Sequence, residues 1–368
     1  MKIKQLDIAG FRSLKKVSWQ PGDLNVVIGP NGTGKSNLLR ALELLSASAQ
    51  GNLSEHILSA GGMGAVLWDG KASSICINLK MVDPDFEYGL KLARLGLTSG
   101  YEIQHENLFD SNQASRFTGN LPSFAKPNET RLSHELDLSE FFPEDSEEVL
   151  KLGGLRGLQI YQDMDVSQKS KIRQPSVARN ERLVEPDGQN LIPVLHTLYT
   201  ENRDFEWNIN AAMRTAFGSD YEKLVFTPDA GDQRVQMKLR WRSLQRAQSA
   251  ADLSDGTLRF LLLVTILTTP DSPSLIAIDE PETGLHPSMF PIIAEYAVEA
   301  STRTQIVFTT HSPQFLDAFT DVKPTTTVAK WEEGETSLHV LAGDELKYWL
   351  SEYSLGSLFT SGELEAMA

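Results

Sequence analysis

The chain has 368 residues, 34 of them basic and 49 acidic, for a net charge of -15. That length can bury a substantial core and accommodates one large or two moderate domains. The acidic balance argues against nucleic-acid binding by the whole surface and leaves only a local basic face for it.

Cys76 is the single cysteine, so no intrachain disulfide can form and a reducing compartment is expected. The start, Met1-Lys2-Ile3-Lys4-Gln5-Leu6-Asp7, has no secretory apolar core, and the longest apolar run, Phe260 to Leu267, is too short to span a bilayer. The expectation is a soluble, cytoplasmic protein without a membrane segment.

Two strands are predicted first, Ile3 to Phe11 and Leu24 to Ile28, joined through Val17-Ser18-Trp19 and a Pro21-Gly22-Asp23 turn. Gly29-Pro30-Asn31-Gly32-Thr33-Gly34-Lys35-Ser36 follows, a complete G-x-x-x-x-G-K-S loop, and Ser36 to Leu45 reads as a helix. Strand, loop and helix in this order form a phosphate cradle: the glycines let backbone approach phosphate, and the helix start offers unpaired N–H groups. Lys35 is expected to reach the β- and γ-phosphates of a nucleoside triphosphate, and the Ser36 hydroxyl to ligate Mg²⁺. Strand-like segments near 65–69, 74–82, 86–95 and 100–108 suggest an antiparallel meander. Residues 110–130 read as loop or insertion, 144–151 as helix, 156–162 as strand and 190–217 as helices. A hairpin at 222–242 turns at Pro228-Asp229-Ala230-Gly231-Asp232, and 252–320 alternates helix and strand. The phosphate loop thus lies far from the second α/β block. This predicts an α/β core split by an insertion, with an N-terminal half at 1–110, a lobe at 111–221 and a C-terminal half at 222–368.

The second block carries further chemistry. Ser274 to Glu280 is an apolar strand ending in two acids, suited to Mg²⁺ coordination by Asp279, directly or through water, and to water activation by Glu280. Gln305 to Ser312 is a second β-rich run, and if the two strands are parallel, His311 reaches the edge where the γ-phosphate sits. Leu253-Ser254-Asp255-Gly256-Thr257 opens an apolar helix; Ser254 or Asp255 reads either as an N-cap or as part of an anion site.

The order Gly29–Ser36, Leu253–Gly256, Ile278-Asp279-Glu280-Pro281, Glu282-Thr283-Gly284-Leu285-His286-Pro287 and Thr310-His311-Ser312 resembles ABC-type ATPase heads. The nearest resemblance is to RecF/SMC-like, AAA-type predicted ATPases related to OLD-family nucleases. It is specific over about 1–50 and 250–320 and extends to Phe11-Arg12-Ser13, to Arg173 through Leu191 and to Tyr353 through Leu358. It implies a P-loop NTPase head of ABC type with an antiparallel β subdomain and an inserted helical lobe, using ATP and Mg²⁺. In such heads two protomers sandwich two ATPs. Carried over, Gly29 to Asn37 and Arg12 bind nucleotide, with Lys35, Glu280 and His311 acting on it and Ser36 and Asp279 on the metal. Ser254 and Gly256 would contact the γ-phosphate held by the partner's Lys35, and Glu282 to Pro287 would run between the two sites. Asp255 and Thr257 depart from the transporter form LSGGQ. Gln159 and Gln162 are open candidates for the Mg²⁺-sensing glutamine.

Arg234, Gln236, Lys238, Arg240 and Arg242 alternate with Val235, Met237, Leu239 and Trp241. The basic face is either a solvated strand face or a contact for phosphates, such as duplex DNA, and Lys169, Lys171, Arg173, Arg179 and Arg182 add to it if they lie in a loop. His56, His105, His134, His196 and His339 lack metal-ligand spacing, and Cys76 is expected to be buried rather than nucleophilic. The leading expectation is an ATP hydrolase whose turnover drives homodimer closure and opening to control DNA or an effector protein. The alternatives are a slow ATP-gated scaffold for a separately encoded TOPRIM-type nuclease, with anti-phage defence as the setting, and a DNA-repair or chromosome-maintenance clamp. The stretch after His311 is expected to be too short for the nuclease domain that OLD proteins append there.

Overall fold

A computed structural model describes residues 2–82, 86–96, 98–110, 113–117, 128–130, 154–228, 234–341, 349–350 and 352–368. The sheet that carries the site has the order β16-β15-β3-β14-β13-β8. Its strands are β3 (Leu24–Ile28), β8 (Leu158–Tyr161), β13 (Leu275–Asp279), β14 (Gln305–Thr310), β15 (Thr325–Glu332) and β16 (Glu335–Leu341), of which only β16 pairs antiparallel. β3 and β14 are buried along their whole length, as parallel strands covered on both faces require.

Alternate residues of these strands enter different cores. Val27, Ala277, Val307 and Ala329 join one apolar cluster; Val26, Ile28, Ile276, Ile278, Ile306, Phe308 and Val328 join the other. The first cluster is closed by helix α1 (Lys35–Gln50) and by an antiparallel sheet of order β2-β1-β4-β5-β6-β7. Those strands are β1 (Lys2–Phe11), β2 (Leu14–Trp19), β4 (Ser74–Val82), β5 (Phe86–Arg94), β6 (Tyr101–Asp110) and β7 (Gln113–Phe117). The Gln305 side chain bonds both Ile3 N–H (2.9 Å) and Ile3 C=O (3.0 Å), and Trp19 Nε1 donates to Thr327 Oγ1 (3.0 Å), so the two sheets are joined at their margins.

The 74–82, 86–95 and 100–108 expectations are matched by the meander β4–β6. The predicted strand at 65–69 is corrected: α2 (Leu53–Ser59) is followed by the short helix α3 (Met63–Val66) and a 3₁₀ turn at Trp68–Gly70. Gly61 and Gly62, at φ 95° and 83°, turn the chain into that helix, a conformation β-strand residues do not adopt. Part of 110–130 is the strand β7 rather than loop, while 118–127, the predicted 144–151 helix and the hairpin turn at 229–233 lie outside the described residues.

The second core holds α4 (Leu191–Glu201), α5 (Arg203–Phe217), α6 (Asp255–Thr268), α7 (Phe290–Ser301), α8 (Pro313–Asp317), α9 (Leu355–Ser361) and α10 (Glu363–Met367). A small sheet of β9 (Ser176–Val177), β10 (Tyr221–Pro228), β11 (Arg234–Trp241) and β12 (Gln248–Ser249) lays Met237 and Leu239 onto this core. Within 111–221, β8 is thus a strand of the central sheet, and α4 and α5 pack in the core with α6. Among the described residues no helix is long and apolar enough to cross a membrane.

Candidate active site

The G-x-x-x-x-G-K-S loop connects β3 to α1 at the carboxyl end of the parallel sheet, where ligands of open α/β sheets bind. Gly34 caps α1 at φ 96°, and a Cβ there would lie 2.2 Å from Thr336 Oγ1 and 2.6 Å from Ser13 Oγ, so only glycine fits. At Gly32, φ 84°, an added Cβ meets nothing within 4 Å: this side of the loop is open. The Lys35 side chain is buried and bends back, its Nζ donating to the carbonyls of Gly29 (2.7 Å) and Pro30 (3.1 Å). Burial lowers its pKa, opposed by the charges of Glu280, Asp279 and Glu282. Asn37 Nδ2 donates to Ser13 Oγ (2.7 Å), tying the first turn of α1 to the Phe11-Arg12-Ser13 turn. Arg12 itself has φ 47°, its N–H donates to Val66 C=O (2.8 Å), and its buried Nε has no partner. Its pKa is lowered by burial and by Arg40, against Glu43.

The parallel register Asp279↔Thr309 brings the two acids and the histidine to the same edge. Ser36 Oγ donates to Asp279 Oδ2 (2.9 Å), and the Thr309 hydroxyl holds Asp279 Oδ1. A hydroxyl and a carboxylate side by side at the start of α1 form a hard oxygen donor pair, which fits Mg²⁺ beside an anion-binding loop. Glu280 has φ 45°, a left-handed conformation that costs energy for a non-glycine residue. It is held there by N–H donation to Thr309 C=O (3.1 Å) and by Arg259 Nη2 on its own carbonyl (3.2 Å). Its Oε1 meets His311 Nδ1 at 2.9 Å, with both side chains partly exposed. Lys35, Ser36, Asp279, Glu280 and His311 are therefore brought together.

A cleft of about 420 Å³ opens at the Asp279–Glu280 end and is lined by Gln162, Asp165, Arg259 and Thr283 among others. Of the two candidate glutamines, Gln162 is the one in this cleft, with Nε2 3.3 Å from Glu43 Oε2. Gln159 lies inside β8, paired with Ile276, its Oε1 buried. The expected strand at 156–162 already put Gln162 at its carboxyl end and Gln159 inside it; the observed strand ends one residue earlier, at Tyr161. Arg259 was not expected from the sequence, and Glu282 was expected only as the start of the segment running between the two sites. Arg259 is buried, bridging Met164 C=O (3.3 Å) and Glu280 C=O, with its pKa lowered by burial. Glu282 is buried with Thr310 Oγ1 on Oε1 and no partner on Oε2, and burial raises its pKa.

Ser254 is not joined by any hydrogen bond to Lys35, Ser36 or Asp279 among the described residues. It caps α6, its Oγ accepting from Thr257 N–H (3.1 Å). A Cβ on Gly256 would lie 2.9 Å from Gly284 C=O, so the start of α6 packs closely on the turn after Glu282.

The strand alternation at 234–241 is observed: Val235, Met237 and Leu239 are buried, while Arg234 is exposed and Lys238 and Arg240 are half-buried. Arg242, just past the strand, is exposed. The second basic cluster is corrected at two of its members, while Lys169, Lys171 and Arg179 are exposed. Arg173 is buried among carbonyls of the 166–167 and 250–253 segments, and Arg182 is engaged by Asp271 and Glu201, so neither belongs to a free basic surface.

Fold and site define a P-loop ATPase head of the ABC class. The chain belongs to the family described as "AAA domain, putative AbiEii toxin, Type IV TA system", matched over residues 24–317. It is 23% identical to the OLD nuclease of Thermus scotoductus over 339 residues, 86% of this chain and 60% of that one. Over 120 residues (33% of this chain, 46% of the relative) it is 34% identical to the cytochrome c biogenesis ATP-binding export protein CcmA 2 of Cupriavidus metallidurans. A 48-residue match to DNA replication and repair protein RecF of Moorella thermoacetica is 44% identical and covers 12% and 13% of the two chains. The chain therefore spans less than two thirds of each of these relatives. Two SMC heads share the fold: that of Thermotoga maritima (TM-score 0.51, 16% identity, 93% of this chain and all of that one) and that of Pyrococcus furiosus, bound to the C-terminal domain of ScpA (TM-score 0.61, 12% identity, 95% and 99%). The chain is thus a RecF/SMC-like ABC-type ATPase related to OLD.

Proposed function

We propose that the protein is a Mg²⁺-dependent ATP hydrolase that closes head to head on a second copy, each copy completing the other's site. The observation that carries this is the meeting of Ser36 with Asp279 and of Glu280 with His311 at one sheet edge. Lys35 and the loop N–H groups would hold the β- and γ-phosphates, and Ser36 and Asp279 would hold Mg²⁺, which when bound offsets phosphate charge. Glu280 is the base: its carboxylate, oriented by His311, takes the proton of the attacking water. Ser254, which among the described residues makes no hydrogen bond to its own chain's Lys35, would serve the phosphate of the other copy, as the resemblance to ABC-type heads implies. Glu280→Gln is expected to lower kcat by roughly 10²–10⁴-fold, the usual contribution of a general base, while ATP still binds. It should also accumulate an ATP-bound dimer in sedimentation velocity. Hydrolysis at the normal rate would overturn the base assignment.

The long alignment with OLD nuclease favours a second reading, a slow ATP-gated scaffold controlling a TOPRIM-type nuclease in anti-phage defence. Co-purification of a nuclease whose activity follows the nucleotide state supports it; nuclease activity indifferent to ATP rejects it. The basic face of β11 favours duplex DNA as a further ligand of either form.

A further inference from the structure

Asp255 presents a difficulty for a site that must receive phosphate. It is the first residue of α6, next to Ser254, and its side chain is 61% exposed. A carboxylate there suits the helix dipole of the separate chain but repels an anion arriving at the same end. The structure answers with Arg173, whose side chain is only 2% exposed. Its Nη2 bonds Asp255 Oδ1, and its Nη1 donates to the carbonyls of Leu253 (2.6 Å), Ala250 (3.4 Å) and Ala251 (3.4 Å). On the other side its Nε donates to Val166 and Ser167 C=O, both at 3.0 Å. One planar guanidinium thus clamps the 250–255 loop to the segment that follows Gln162, a geometry that an ammonium does not reproduce.

We infer that Arg173 is a positioning residue that neutralises Asp255 and fixes the 250–255 loop so that the triphosphate held by a second copy can approach Ser254. This rests on the head-to-head reading above. The two functions of Arg173 separate cleanly. A latch alone is weakened when Asp255 loses its charge. Charge compensation predicts the opposite, because Asp255→Asn leaves the positive charge of Arg173 beside the incoming anion while the carbonyl contacts still hold the loop.

The test is ATP-dependent self-association of Glu280→Gln protein, followed by sedimentation velocity at low and at physiological salt, with ATP affinity of the dilute chain measured alongside. Adding Arg173→Gln should weaken association by about tenfold or more, because Asp255 then meets the incoming phosphate as an uncompensated like charge, and leave ATP affinity of the dilute chain unchanged. Asp255→Asn alone should associate as tightly as the parent or several-fold tighter, with a steeper salt dependence. In the Arg173→Gln background it should restore most of the loss. Normal association of Arg173→Gln, an equal loss of ATP affinity in the dilute chain, or weakening by Asp255→Asn each overturns the inference. Should Arg173→Gln fail to fold, the surface change Asp255→Asn decides the question by its sign. An ATP-bound parent that stays monomeric removes the head-to-head reading and this inference with it; a dimeric parent with contrary variants removes this inference alone.

Discussion

Glu282 is 8% exposed, with one carboxyl oxygen held by Thr310 and the other without a partner. Burial is the largest influence on it and raises its pKa above the ordinary 4.5, with Glu280 adding to the rise and Thr310 and His311 opposing it. A carboxyl whose folded pKa is raised favours the folded state while protonated. That stability is fully present below 4.5 and is lost as pH rises through the folded value. Glu282→Gln removes the ionisation and keeps an acceptor for Thr310. The variant is expected to be more stable than the parent above the folded pKa, by about 1.4 kcal/mol for each tenfold change that folding makes in the carboxyl's proton affinity, and to lose the advantage in acid. Thermal melting from pH 4 to pH 9 checks this, and parallel curves for parent and variant would contradict it. Residues of this kind mark the limit of sequence reading. Ser36, Asp279 and His311 announce themselves by motif, whereas the burial of Arg173 depends on backbone carbonyls at 166–167 and 250–253, which every sequence possesses and none displays.

At the level of elements, legibility followed periodicity. β4 and β5 alternate buried and open positions and were readable, as was β11, whose outward residues are Gln236, Lys238 and Arg240. The run 65–69 is apolar without period, and the glycines before it decided its fate. The β8 segment was legible as a strand, but its place beside β13 rests on long-range pairing that local pattern does not encode. The same pairing reveals something new about the basic strand: Lys223 of β10 stands directly opposite Arg240, and Val225 opposite Lys238. Like charges facing across strands are destabilising, so the pair is retained at some cost. Lys223→Glu is expected to raise stability by about 0.2–1 kcal/mol through a cross-strand ion pair with Arg240. If the face contacts phosphate, the same change should weaken duplex DNA binding and reduce the slope of log K against log salt by about two, one for each cation neutralised. Greater stability with unchanged DNA binding at low salt would make this an ordinary solvated face.

For the whole molecule, the central sheet divides its side chains between two cores and delivers the phosphate loop, Asp279, Glu280 and His311 to one edge, while among the described residues Ser254 makes no hydrogen bond to that set. A site assembled from two copies has a consequence that a self-contained site lacks. Lys35→Ala spoils the phosphate loop of its own chain and leaves its Ser254 loop intact; Ser254→Arg does the reverse. Each variant alone should be inactive, because every site in either homodimer contains one spoiled half. In a mixed dimer, the loop of the Ser254→Arg chain meets the intact Ser254 of the Lys35→Ala chain, and one of the two sites is whole. With random exchange in a closed two-fold dimer, an equimolar mixture is expected to recover at most about a quarter of the wild-type rate per protomer. Recovery should grow with total concentration, since the active species forms by association. Steady-state phosphate release from the two variants, separately and mixed, measures this directly. A mixture as inactive as its components would mean that Ser254 does not complete the site of a second copy. Substantial activity of Ser254→Arg alone would mean that the chain hydrolyses ATP without it.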